Sequence, residues 1–183
     1  MISPLFPNQS VGKSVTVDID VYFEYFIRRI EEIPLDEKPG ILIGMIRDRF
    51  ERLEKRLNTK LSADYRRSSN GHVHLRIYFN QEITVLDAFM IRAWMLDDRQ
   101  RLALDEARYL ITGSLHEMNR CFDEKATMDG TVKRAGPWIP LGHDKEQFTG
   151  DALADWQAYS KALSLDPHLL YLPSNKQQTV LKL

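Results

Sequence analysis

The chain has 183 residues, of which 43% are hydrophobic and 10% aromatic, and its 25 basic and 26 acidic residues give a formal net charge of −1. This length supports one soluble globular domain with a sizeable core, and the near-neutral charge excludes an overall basic surface, so nucleic-acid binding would need a local patch. The one cysteine, Cys121, excludes an internal disulfide and a cysteine-built zinc site, and no apolar run reaches the roughly 20 residues that cross a membrane, so we expect a cytoplasmic protein without a membrane segment.

The first predicted strand covers residues 14–22, where β-branched apolar residues alternate with polar ones. Successive side chains of a strand point to opposite faces, so Asp18 and Asp20 share the face opposite the apolar one. Two neighbouring like charges cost stability unless a cation or a basic group neutralises them. The pair is therefore a candidate cation site.

Helical spacing follows over residues 22–33 and ends at Pro34, and "LDEKPG" at 35–40 predicts a loop. The clearest helical pattern covers residues 41–57. Its apolar residues recur at steps of three and four, which predicts one buried face made of Ile46, Phe50, Leu53 and Leu57.

Residues 60–79 predict a hairpin of two strands joined by the turn "SSNG" at 68–71. The second strand, "HVHLRIYF" at 72–79, is apolar at every odd-numbered position. Its even-numbered positions are polar or amphipathic: His72, His74, Arg76 and Tyr78. This alternation predicts one packed face and one face that meets solvent or performs chemistry.

Two consecutive helices are predicted over residues 84–94 and 97–110. The charge-rich segment 97–108 is either a solvent-exposed helix face with salt bridges or a helix that supports the sheet from beneath. A short strand over 120–126 leads into a turn at 128–130, residues 131–143 resemble a loop, and a final helix is predicted over 150–165.

This order predicts an α+β fold, in which an antiparallel sheet of ferredoxin or RNA-recognition type has helices packed on one face. The core covers residues 1–143, and a helix and tail at 144–183 belong to the same domain. The other face of the sheet is expected to be open and to carry the polar candidates.

Paired carboxylates on one strand suit Mg²⁺ or Mn²⁺, which prefer oxygen ligands and leave room for substrate phosphates. Asp123, in "RCFDEK", is the candidate third carboxylate, and Asp105 is an alternative to it. Donors for a triphosphate or a nucleic-acid backbone lie just before the hairpin turn, at Arg66, Arg67, Ser68 and Ser69.

These motifs resemble the archaeo-eukaryotic primase superfamily, which includes primase-polymerases of archaeal plasmids and viruses. The matching segments are "VDID" at 17–20, "SSNGHVH" at 68–74 and "FD" at 122–123, and residues 91–108 resemble a helical stretch of small primase-like proteins. The resemblance implies metal-dependent nucleotidyl transfer in the replication of an archaeal genome, plasmid or virus. It implies as partners a DNA or RNA template, nucleoside triphosphates and other replication proteins.

The same resemblance assigns roles to the candidate residues. Asp18, Asp20 and Asp123 would bind the metal ions. Either His72 or His74 would contact the nucleotide phosphates, since the family pattern can be aligned on either one. The supporting nucleotide-binding residues would be Arg76, Ser69, Arg67 and Ser68.

Two alternatives remain open. The "HVH" motif also resembles rolling-circle replication initiators and relaxases, in which both histidines hold one metal ion and a tyrosine attacks DNA; Tyr109 or Tyr159 would have to serve here. The third hypothesis is a nucleic-acid-binding module without catalytic activity.

Overall fold

The computed structural model describes residues 9–19, 38–68, 72–113 and 124–142, together with positions 153, 154, 157, 160, 161 and 164. Within these residues the chain forms an α+β fold with a four-stranded antiparallel sheet and three helices. The predicted fold class is therefore confirmed at this level.

The four-stranded sheet has the order β1-β3-β2-β6, and every neighbouring pair in it is antiparallel. Its strands are β1 (Ser14–Ile19), β2 (Ser62–Arg67), β3 (Val73–Tyr78) and β6 (Ile139–Pro140). A separate two-stranded hairpin consists of β4 (Glu124–Ala126) and β5 (Val132–Arg134). The helices are α1 (Lys38–Leu57), α2 (Val85–Trp94) and α3 (Arg99–Thr112).

The two faces of the sheet differ as the sequence alternation predicts. One face is apolar, and its buried residues form a single core with residues of α1 and α2. The main contributors are Val15, Val17, Leu75 and Ile77 from the strands, Ile46, Phe50 and Leu53 from α1, and Ala88 and Ile91 from α2. Burying such side chains stabilises the fold by about 1.5–3 kcal/mol each, so this face fixes the register of the sheet. Leu57, the last residue of the predicted apolar stripe, is instead exposed.

The helix ends follow from local capping. Thr84 and Asp87 form a capping box at the start of α2, and Asp98 caps α3 by accepting the amide hydrogen of Gln100. Helix α1 begins at Lys38, so the predicted loop is wrong for residues 38–40. Pro39 is tolerated there, because the first turn of a helix does not use its amide hydrogens. No helix in the described part of the chain is both long and apolar enough to cross a membrane.

Strands β5 and β6 lie within residues 131–143, where the sequence predicts a loop. Glycine and proline weaken the strand signal here, and β6 is a two-residue strand that lies at the edge of the sheet among the described residues, a position where proline is permitted. The hairpin turn at 128–130 is confirmed. The described positions between 153 and 164 are helical, as predicted, whereas residues 20–37 lie outside the described residues.

The turn between β4 and β5 is held by Asp129. Its Oδ1 accepts hydrogen bonds from the Thr127 hydroxyl, from the Thr131 amide over 3.1 Å and from the Thr131 hydroxyl over 2.8 Å. These bonds, that from Thr127 first, lower the pKa of Asp129 to about 2. Because its pKa is lowered, ionised Asp129 stabilises the turn at pH values above its pKa in the unfolded chain, about 3.9. This contribution disappears as the pH falls through the pKa of the folded state.

We therefore expect an NMR titration of the Asp129 carboxyl carbon to have its midpoint near pH 2. The Thr131 amide signal should follow the same midpoint, and in Asp129→Asn this transition should be absent. A midpoint close to the ordinary aspartate value would show that the three hydrogen bonds do not persist in solution.

Candidate functional site

The sheet register aligns Asp18 of β1, His74 of β3 and Arg66 of β2 side by side on the polar face. His74 Nε2 lies 3.4 Å from Asp18 Oδ1, and Arg66 Nε donates a hydrogen bond to His74 Nδ1 over 3.2 Å. We refer to these three residues as the charged row. An acidic residue of the first strand and an imidazole of the hairpin thus lie in close proximity on one face.

The backbone explains this proximity. The Asp18 amide donates to Asp97 Oδ1, and the Asp18 carbonyl accepts from the Asp98 amide, each over 2.8 Å. Both backbone groups of Asp18 therefore point away from β3. Asp18 and His74 are then a non-hydrogen-bonded pair, the type whose Cα atoms approach to about 4.5 Å and whose side chains are closest.

The hydrogen bonds also determine where the proton of neutral His74 lies. The Arg66 guanidinium can only donate, so Nδ1 of His74 must accept and the proton lies on Nε2. That N–H faces the Asp18 carboxylate. Because Nδ1 is occupied by Arg66 and Nε2 lies 3.4 Å from Asp18 Oδ1, His74 is less suited to bind a metal ion than to contact the Asp18 carboxylate.

Trp138 covers part of the polar face. The Cζ atoms of Arg66 and Arg76 each lie 4.4 Å from the centroid of its ring, which is the geometry of cation–π contacts. The His74 side chain is only 8% exposed, whereas that of Asp18 is 23% exposed. The expectation of an open face is therefore wrong for the charged row, and the solvent-accessible end of the row is Asp18.

The segment that carries Trp138 is fixed at several points. The Gly136 amide donates to the Arg67 carbonyl over 2.9 Å, and the Leu141 amide donates to the Ala63 carbonyl over 2.8 Å. Arg47 of α1, which is buried, donates to the carbonyls of Leu141 and Gly142. We call residues 136–142 the covering segment; its contacts with β2 and α1 hold Trp138 over the arginines.

A second polar level lies beside the charged row. Arg76 of β3 is aligned with Thr16 of β1 and Asp64 of β2, and Asp64 Oδ2 accepts a hydrogen bond from the Tyr78 hydroxyl over 2.9 Å. Arg76 is half-buried and adds a second positive charge next to Arg66. The polar face therefore combines two partly exposed carboxylates, Asp18 and Asp64, with two guanidinium groups.

The other predicted site residues are placed differently. His72 lies just before β3, and its amide and carbonyl bond to the Ser68 hydroxyl and amide over 3.1 and 2.7 Å, which closes the hairpin. Arg67 is exposed and aligned with Val73, on the face opposite Arg66. Three predicted residues lie outside the described residues: Asp20, Ser69 and Asp123.

The described residues offer few metal-ligating side chains close together. In the described ranges, no group of three or more His, Cys, Asp or Glu side chains is arranged to hold a metal ion. Asp105 does not join Asp18, since it is 2.7 Å from Arg92 Nη2 and also contacts Arg108. Asp18 has the carboxylate chemistry that Mg²⁺ or Mn²⁺ needs, and the proposed site would be completed by Asp20 and Asp123.

A buried ion-pair cluster behind the site was not predicted as such. Arg92 is fully buried and contacts Asp105 and the second oxygen of Asp97. Burial raises the pKa of Asp97, and the guanidinium groups of Arg92 and Arg101 offset part of that rise. The charge-rich segment contacts β1 through Asp97, but at the edge of the strand and not beneath the sheet, where the predicted supporting helix would lie.

The tyrosine required by the nicking hypothesis is not accessible at Tyr109. This residue is 3% exposed, and its hydroxyl donates to Gln9 Oε1 over 3.2 Å. Tyr159 lies outside the described residues.

In comparisons with known proteins, no protein-family model, no curated protein and no solved structure matches this chain.

Proposed function

We propose that the chain is a metal-dependent nucleotidyltransferase of primase or primase-polymerase type, or a degenerate relative, with a primase-like ferredoxin or RNA-recognition core. Its role would be in DNA replication of an archaeal genome, plasmid or virus. The contact between Asp18 and His74 supports this proposal most strongly. The primase resemblance requires an acidic residue of the first strand to meet an imidazole of the hairpin strand, and a one-residue shift in register would have separated them.

In this proposal, Asp18, Asp20 and Asp123 hold Mg²⁺ or Mn²⁺. When bound, the metal ions would neutralise the triphosphate and activate the attacking hydroxyl. Arg66 keeps the His74 proton on Nε2, facing the Asp18 carboxylate. With a nucleotide bound, this one N–H would donate to a phosphate oxygen in place of Asp18. Arg76 supplies positive charge for the phosphates.

The proposal is tested by template-dependent incorporation of labelled nucleotides in the presence of Mn²⁺ or Mg²⁺. We expect Asp18→Asn to lower incorporation at least about 100-fold, since a bound metal ion contributes several kcal/mol to the transition state and each factor of ten corresponds to about 1.4 kcal/mol. Asp64→Asn is the matched control, because Asp64 lies on the same face and its replacement can still accept the Tyr78 hydrogen bond. Equal activity of wild type and Asp18→Asn would contradict the proposal.

A non-catalytic nucleic-acid-binding module is the second candidate. It is favoured by the engagement of both His74 nitrogens and by the stacking of Trp138 on two arginines. Salt-sensitive DNA or RNA binding without nucleotide incorporation would support it. A covalent tyrosine–DNA adduct would instead support the nicking hypothesis.

A further inference from the structure

We infer that Asp97 is a positioning residue for Asp18: its carboxylate fixes the outer edge of β1 so that the Asp18 side chain faces His74. This inference rests on the proposed function, in which Asp18 is a metal ligand. It adds a supporting residue from the connection between α2 and α3, which the primase resemblance did not assign.

Asp18 lies at a border of the sheet. Among the described residues β1 is the outermost strand, and a border strand ordinarily leaves its outward amide and carbonyl groups to solvent. At Asp18 both outward groups are bound by the connection, through Asp97 Oδ1 and the Asp98 amide. A hydrogen bond from an amide to a carboxylate is stronger than one between neutral groups. The main-chain orientation of Asp18 is thus set by Asp97 as well as by β3.

The Asp97 carboxylate is held in place by several donors. It is buried, and its Oδ1 also accepts the Asp98 amide over 3.0 Å and lies 3.4 Å from Arg101 Nη1. Its Oδ2 is paired with Arg92, whose other nitrogen is held by Asp105 over 2.7 Å. Donors therefore bind both oxygens of the Asp97 carboxylate, and rotation of the side chain would break several of these contacts at once.

The backbone turn at the end of α2 positions Asp97. Helix α2 ends with the Leu96 amide bonded to the Ala93 carbonyl and the Asp97 amide bonded to the Arg92 carbonyl, over 3.3 and 3.0 Å. This is a Schellman motif, whose left-handed position is usually occupied by glycine. In most Schellman motifs an apolar contact joins the two positions that Arg92 and Asp97 occupy here. Here buried Leu96 takes that position with φ of 69°, and an ion pair replaces the apolar contact.

A leucine in the left-handed region is an outlier that the surrounding structure must hold in place. The turn therefore combines an unfavourable backbone conformation with a buried charge pair, at the point where the chain returns to β1. Both features are explained if the turn serves to place the Asp97 carboxylate against the Asp18 amide.

The test compares Asp97→Ala with Asp105→Ala. Each variant removes one buried carboxylate from Arg92, but only Asp97 contacts Asp18. Two quantities are measured: the dissociation constant for Mn²⁺, from paramagnetic line broadening, and the imidazole NMR signals of His74 in the metal-free protein. We expect Asp97→Ala to weaken Mn²⁺ binding by about 10-fold or more, as for other residues that orient metal ligands, and to shift the His74 signals. Asp105→Ala should change both much less.

Equal changes in the two variants would show a merely structural role and overturn the inference, as would unchanged His74 signals in Asp97→Ala. If the wild type binds no Mn²⁺, the proposed function fails, whereas the His74 signals still decide whether Asp97 positions Asp18. Should Asp97→Ala not fold, the comparison is made between Asp97→Leu and Asp105→Leu, which keep a branched side chain but have no oxygen to accept the Asp18 amide. A His74 shift confined to Asp97→Leu then supports the inference, and its absence overturns it.

Discussion

Replacing Arg92 with alanine is expected to lower the free energy of unfolding by about 3–5 kcal/mol. Arg92 is fully buried, and the substitution would leave the carboxylates of Asp97 and Asp105 buried without their shared guanidinium. One oxygen of each carboxylate would lose its ion-pair partner while staying buried, and removing one partner of a buried ion pair costs far more than the pair contributes. Urea denaturation followed by circular dichroism measures the loss, and failure of the variant to fold agrees with it.

Arg108→Ala is the matched control for Arg92. Arg108 also contacts Asp105, over 3.5 Å, but its side chain is 49% exposed. Exposed ion pairs contribute about 0–1 kcal/mol, so we expect a loss within that range. Similar losses in the free energy of unfolding of the two variants would show that the buried ion pairs stabilise the fold no more than an exposed one does.

Replacing Arg47 with alanine is expected to release the covering segment. Arg47 donates to the carbonyls of Leu141 and Gly142, and hydrogen bonds from a charged donor contribute about 1.5–3 kcal/mol each. We therefore expect a loss of about 3 kcal/mol in the free energy of unfolding and faster hydrogen exchange at the Leu141 amide, which bonds to Ala63. For amides within α2, protection from hydrogen exchange should fall only by the amount that the lower global stability predicts.

Arg49→Ala provides the comparison on the same helix. The Arg49 side chain donates to the Trp94 carbonyl over 2.7 Å, at the end of α2 and away from the covering segment. Exchange at Leu141 should therefore be affected much less than in Arg47→Ala. If both variants expose the Leu141 amide equally, the carbonyl contacts of Arg47 do not hold the segment.

The alternation of side chains was sufficient to predict the central part of the site. The period of two in the first strand and in "HVHLRIYF" placed Asp18 and His74 on the polar faces of their strands. Their meeting in register requires that β1 pairs with β3, which the sequence could only suggest by analogy with known sheets. Because side chains alternate between faces, Arg66 and Arg67 lie on opposite faces of β2. Only the sheet register shows that Arg66 lies beside His74.

The buried cluster could not be predicted because its members look like surface residues. In α3 the buried positions are Asp105 and Tyr109, whereas Leu104 and Ile111 are 64% and 83% exposed. A hydrophobic pattern therefore selects the wrong face of this helix. Asp97 is buried by a helix end that uses leucine where glycine is usual, and no sequence signal marks that turn.

The way in which the sheet borders are closed has a consequence for self-association. At Asp18 the outward groups of β1 are bound by the helix connection, and on the opposite border β6 is two residues long and includes Pro140, which has no amide hydrogen to offer. Exposed strand borders are templates on which other chains add and aggregate. Within the described residues, these two points leave few free donors and acceptors for another chain to pair with, so strand addition there should be disfavoured.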